Sequence, residues 1–276
     1  MPSTYAHYRL GKEVWGKLPA EIKEELSGQL DLFKIGLHGP DILFYYGALG
    51  SNKVNRTGFG MHDKLARDFF LPALQIMRHV KADREYHAMQ AYLYGFICHY
   101  ALDRACHGYV EEKMEASGLS HSEIETEFDR ALMLEDGLDP IHQKVTGHLH
   151  PNKEGARVIS RFFTDITEEE VYKALKSMKR CLDFLVAPHW PKRTLIMKGL
   201  KISGHYEGMH GLVMNQEANP KCADSNRELR KRYGKAVRDA LELIGEFRKE
   251  ESDAELPMDE RFNHTFGAEK GTELDL

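Results

Sequence analysis

Apolar residues recur along most of the chain at intervals of three and four, the spacing that keeps them on one face of a 3.6-residue helix. The pattern predicts helices over residues 20–30, 62–80, 83–114, 124–134, 171–185 and 229–247. Helical punctuation agrees with it. Pro19 stands at a first-turn position ahead of the first run, where its missing N–H costs nothing. Three Ser/Thr-x-x-Glu boxes, Ser120/Glu123, Thr167/Glu170 and Ser225/Glu228, each set a hydroxyl and a carboxylate where a helix start leaves amides unsatisfied. Period-two alternation is nearly absent, so strands are not needed. The expected fold class is all-α, a single-domain helical bundle over residues 1–250, followed over 251–276 by a polar, acidic tail with a small apolar island at Phe262 and Phe266. Three Gly-, Asn- and Pro-rich breaks, at 47–60, 136–153 and 203–224, read as connections, and the first two are long enough to be functional loops.

Composition narrows the class. With 276 residues, 42% hydrophobic and 29% charged, the chain can build one generous core, and disorder is excluded. No stretch approaches the roughly 18 consecutive apolar residues of a membrane-spanning helix, and the first twenty residues have no apolar core of the signal-peptide kind. The expectation is a cytoplasmic protein. The balance of 38 Lys+Arg against 43 Asp+Glu, a net charge of -5, disfavours broad adhesion to nucleic acid or anionic lipid and leaves only a local basic surface for either. Cys98 and Cys106, eight residues apart on a predicted helix, would have Cα atoms about 12 Å apart, too far for a disulfide. With Cys181 and Cys222 they read as reduced thiols.

The outlier is histidine, present fifteen times, each a neutral metal ligand or a proton carrier near neutral pH. His99, Asp103 and His107 recur at intervals of four. Positions four apart on an α-helix drift by about 40° and rise about 6 Å, so the three side chains form a ladder on one face. Gly95, one step earlier on that stripe, leaves room beside it. Fourteen residues after His107 comes His121, followed four later by Glu125, again a pair on one helix face. Burying imidazoles with carboxylates is unfavourable unless something satisfies them, and a divalent cation does so. The other reading of the same pattern is a hydrogen-bonded His/Asp/His network without metal.

The order His99-x3-Asp103, His107, His121-x3-Glu125, with the opening Ser3-Thr4-Tyr5-Ala6-His7 and Gly39-Pro40-Asp41, resembles the bacterial zinc-dependent phospholipases C, which share an all-helical fold with the fungal single-strand zinc nucleases. The resemblance covers most of residues 1–130; the later half is similar only in being helical. It implies two or three zinc ions in a cleft at the end of a helical bundle. Carried over by position, it implies one site of Asp41, His62, His99 and Asp103, a second of His107, His121 and Glu125, and a third of His7, the shared Asp103 and the amino terminus after loss of Met1. It further implies hydrolysis of a phosphodiester, a small molecule or a phospholipid head group, by a metal-activated water, with Asp41 as catalytic base or orienting carboxylate. Asp41 has a rival role as the cap of a helix starting at Ile42, and His62 as an exposed helix-start residue. Nucleic acid is the less favoured substrate, because Lys192, Arg193, Lys198 and Lys201 have no aromatic interleaved among them. The non-enzymatic alternative is a helical protein that keeps zinc without catalysis. His148 and His150 are expected at the surface or the cleft rim, and His38, His205 and His210 along the cleft.

Overall fold

The computed structural model describes residues 4–81 and 84–267. Its axis is α6 (Tyr86–Ser117), in which every residue from 88 to 103 is buried; a helix that is apolar on all sides must run through the core rather than over it. Three helices precede the first long connection, α1 (Thr4–Lys17), α2 (Ala20–Glu25) and α3 (Leu30–Gly36), and a 3-10 helix, Gly39–Tyr45, follows. Next come α4 (Lys53–His62) and α5 (Arg67–His79), and after α6 the chain forms α7 (His121–Glu135), α8 (Lys153–Ser160) and α9 (Glu168–Leu185). The last elements are α10 (Trp190–Ile202), the single turn α11 (Tyr206–Met209) and α12 (Ala223–Ser252). Among the described residues there is no strand, only one isolated bridge between Leu65 and Thr265, as the all-α expectation requires. No described helix is long and apolar enough to cross a membrane.

α3 and α12 lie along α6, and α1, α7 and α8 complete its surroundings. The approach of α3 is unusually close and has a local cause. A Cβ added to Gly95 would stand 2.1 Å from the Phe33 carbonyl oxygen, and one added to Gly36 would stand 2.2 Å from that of Tyr92. Two glycines face each other at the crossing, so the room left by Gly95 is filled by backbone and brings the 38–41 segment against the His99 turn of α6.

Several boundaries differ from the expected ones. The glycine-rich stretch 47–60 is helical from Lys53, because Asn52 and Asn55 exchange side-chain and backbone hydrogen bonds of 2.9 and 3.0 Å in a reciprocal cap. Ser120 and Thr167 cap α7 and α9 as expected. Ser225 does not cap: α12 starts two residues earlier, and the Ser225 hydroxyl donates to the Cys222 carbonyl. All four cysteines are free. The described part of the segment expected as a tail, to Gly267, folds back on the body. Phe262 and Phe266 are fully buried among Phe70, Phe96 and Tyr100, and the apolar island decides this against its polar flanks.

Candidate metal centre

Five segments meet over the middle of α6. The helix itself brings His99, Asp103 and His107, all buried, in the predicted ladder. α1 brings His7, the 3-10 helix brings Asp41, the C-terminal end of α4 brings His62, and the first two turns of α7 bring His121 and Glu125. Asp103 stands at the centre. Its Oδ1 lies 3.1 Å from His7 Nε2 and 3.6 Å from His107 Nε2, and its Oδ2 lies 3.1 Å from His99 Nε2 and 3.5 Å from His62 Nε2. His62 Nε2 also stands 3.2 Å from Asp41 Oδ1. Glu125 Oε1 lies 3.1 Å from His121 Nε2 and 3.6 Å from His107 Nε2.

Several of these atoms face one another with no hydrogen bond between them. The Nε2 atoms of His62, His99, His107 and His121, Oδ1 of Asp41 and Oδ2 of Asp103 are buried and have no partner in hydrogen-bond geometry. Buried polar atoms left so cost about 1–3 kcal/mol each, and several of them converging on common points is the arrangement a cation satisfies. Three donor sets each gather within 4.8 Å: His7, His99 and Asp103; Asp41, His62 and His99; and His107, His121 and Glu125. The third set is the second site that the resemblance implied. Of the first two, the His7 set keeps Asp103, as in the implied third site, and adds His99, which belongs to the Asp41 and His62 set as well. The amino terminus of the implied third site lies outside the described residues.

Local electrostatics make the donors anionic and receptive. Burial opposes the charge on Asp103, but the His99 and His107 rings beside it hold its carboxyl well below the usual range. Glu125 is likewise lowered against burial, chiefly by His121. Burial holds His107 neutral, lowering it to about 4. Burial also lowers His62, but the Asp103 and Asp41 carboxylates overcome this and raise it to about 10, so without a cation that ring takes a proton to balance the acids. His62 Nδ1 lies 3.2 Å from the Gly58 carbonyl; donation there leaves Nε2 aimed inward, the usual orientation of a ligating imidazole.

Supporting residues had no signal in spacing. Asp129 of α7 accepts the amides of Tyr5 and Ala6 at 2.9 and 2.7 Å, so a carboxylate from another helix caps α1 and fixes His7. Gly39 has φ of 44°, and a Cβ there would stand 2.3 Å from the His99 ring. Phe266 packs 5.5 Å from the His62 ring and 6.0 Å from that of His99. His148 is not at the surface: it is buried, its Nε2 lies 2.7 Å from that of buried His38, and it stacks on Tyr8 at 4.1 Å. His150 is exposed, as expected.

Beside Glu125 a cleft opens between Thr4, Tyr45, Asp129, Leu185, Leu212 and Met214. The fold and the site together define an all-helical protein whose central helix gathers five imidazoles and three carboxylates into clusters that could hold cations, next to a cleft. The chain belongs to the zinc-dependent phospholipase C family, whose family model matches residues 6–177. No curated protein and no solved structure matches the chain. The matched span runs from within α1 to within α9 and contains all eight candidate donor residues.

Proposed function

We propose that this protein hydrolyses a phosphodiester of the phospholipid head-group type at a centre of two or three zinc ions. The supporting observation is the convergence of buried imidazoles and carboxylates in three sets around Asp103 and Glu125, with Nε2 of His62, His99, His107 and His121 lacking a hydrogen-bond partner, in a chain of a zinc-dependent phospholipase C family. Asp41, His62 and His99 would hold one ion, His7 and Asp103 a second, and His107, His121 and Glu125 a third. When bound, zinc supplies Lewis-acid polarisation of the phosphoryl group and a water acidic enough to ionise near pH 7.

The chain's own residues do the remainder. Asp41 Oδ1, buried and 3.2 Å from His62 Nε2, is the candidate base that orients the attacking water and takes its proton. Attack on phosphorus opens the bond to the leaving alkoxide, and no covalent link to the protein is required. The lining of the cleft beside Glu125 includes Leu185, Leu212 and Met214, which suits the apolar part of a lipid. Free thiols at all four cysteines favour a reducing compartment.

The test is metal content by inductively coupled plasma mass spectrometry, on protein purified without a histidine tag or chelator, together with hydrolysis of bis(p-nitrophenyl) phosphate. Two or three zinc equivalents, with turnover abolished by chelator and restored by zinc, are expected. Zinc without turnover on this ester or on a short-chain phospholipid would make the protein a zinc binder, and no zinc uptake on titration would remove the centre altogether.

A further inference from the structure

Outside the metal centre, the least satisfied surface of the described protein is α10. Its inner face packs Ile196 and Leu200 with Leu185, Ala187 and Val213 in a small cluster separate from the main core. Its outer face is apolar without being covered: Trp190 is 75% exposed, Leu195 70% and Ile202 89%. At 100° per residue, Trp190, Lys201, Lys198, Ile202 and Leu195 fall within an arc of about 140° on that outer side. Surface Leu or Ile singly is ordinary. Three large apolar residues on one outward arc of a 13-residue helix are not.

Charge identifies what fits there. Residues 184–206 contain Lys192, Arg193, Lys198 and Lys201 and no Asp or Glu, in a chain whose net charge is -5. Arg193 is committed to the Met214 carbonyl and Asn215, and Lys192 to the Val186 carbonyl. Lys198 and Lys201 lie on the exposed arc between the apolar residues, Lys201 with its ammonium 4.7 Å from the centre of the Tyr206 ring and still open to solvent. An apolar face interspersed with lysine and carrying a tryptophan has the composition of a helix that lies in a lipid–water interface, its rings and aliphatic groups among the acyl chains and its ammonium groups at anionic head groups. A second copy of the chain suits it poorly, since two such faces apposed would set lysine against lysine. The helix also adjoins the cleft: Leu185, of the cluster on which α10 rests, and Leu212, packed against that cluster, both line the cleft.

We propose that α10 is an interfacial helix that docks the protein on an anionic lipid surface through Trp190, Leu195, Lys198, Lys201 and Ile202. Docking rests on this surface alone and does not need hydrolysis, so the two are tested separately. The probe is sedimentation with vesicles of phosphatidylcholine containing 30% phosphatidylglycerol, about three parts in ten as a working anionic fraction, against pure phosphatidylcholine. Trp190 emission is followed alongside; Trp15 sits against Phe33 and stays constant. Expected are a blue shift, at least tenfold stronger partitioning to the anionic vesicles, and weakening by salt. Lys198→Glu/Lys201→Glu and Leu195→Glu/Ile202→Glu should each weaken partitioning at least tenfold, while turnover of soluble bis(p-nitrophenyl) phosphate and thermal unfolding match the parent. No binding to either vesicle, or binding that both double variants retain, overturns the proposal. So does a concentration-dependent dimer in the parent that Leu195→Glu/Ile202→Glu makes monomeric, which would assign the face to a second copy.

Discussion

Asp103 shows what one residue's position decides. Its two carboxylate oxygens divide among four imidazoles on three helices, so removing its charge weakens more than one donor set. Asp103→Asn is expected to lose at least one zinc equivalent and to lower turnover tenfold or more; unchanged zinc content and rate would remove it from the centre. The His38–His148 pair predicts the opposite pattern. Burial pushes both rings down in basicity, His148 to about 3, so at neutral pH one ring donates Nε2–H and the other accepts. His148→Ala leaves His38 buried without its partner and should cost about 1–3 kcal/mol of stability in urea unfolding, with zinc stoichiometry unchanged. The difference between the two sites is also a difference in legibility. His99, Asp103 and His107 are joined by the local geometry of one helix, so their common face follows from spacing. His38 and His148 are 110 residues apart and meet through packing that no local pattern encodes.

Elements and their crossings place the other donors. Gly36 and Gly95 let α3 reach α6, and the turn after α3 carries Asp41 toward His62 and His99. Gly95→Ala would press a methyl onto the Phe33 carbonyl and force the helices apart. It should lower stability by about 1–3 kcal/mol and reduce zinc content, whereas Gly234→Ala, on α12 with open space around it, should raise stability by up to about 1 kcal/mol and leave zinc unchanged. Asp129→Ala removes the acceptor for the Tyr5 and Ala6 amides; the expected result is weaker binding of the ion held through His7, read by zinc titration, with the His107/His121/Glu125 set intact. Helix existence was legible from apolar period, and the Ser120 and Thr167 caps from residue type. The start of α4 was not, because its cap is an Asn52/Asn55 exchange inside a glycine-rich stretch that reads as loop. Ser225 failed as a cap because Pro220 and the 3-10 turn ending at Cys222 hand the chain to α12 earlier.

At the scale of the whole molecule, the long α12 packs along α6 and against α1, and its buried Glu251 gives folding a pH dependence. Burial raises the Glu251 carboxyl from its ordinary value of 4.5 to about 7, although Gln90 donates to it at 2.9 Å. A carboxyl whose folded pKa lies above its unfolded one binds its proton more tightly when folded, so its contribution is fully present below pH 4.5 and is lost as pH rises through 7. Glu251→Gln should therefore be more stable than the parent at pH 8 by on the order of 3 kcal/mol and show little advantage at pH 4.5, compared by urea midpoints at the two values. From 251 to 267 the chain returns over the bundle and sets Phe266 against His62 and His99, so a segment distant in sequence closes one side of the metal centre. The sequence by itself determined the all-α class, the main helices and the common helix faces of His99, Asp103 and His107 and of His121 and Glu125, because helical period and i, i+4 spacing are local properties of a chain. Only the tertiary structure decided how His7, Asp41 and His62 group around Asp103, which groups position them, and where the residues after 250 lie. Those depend on contacts between segments tens to hundreds of residues apart, which steric fit at crossings and burial of apolar surface settle together.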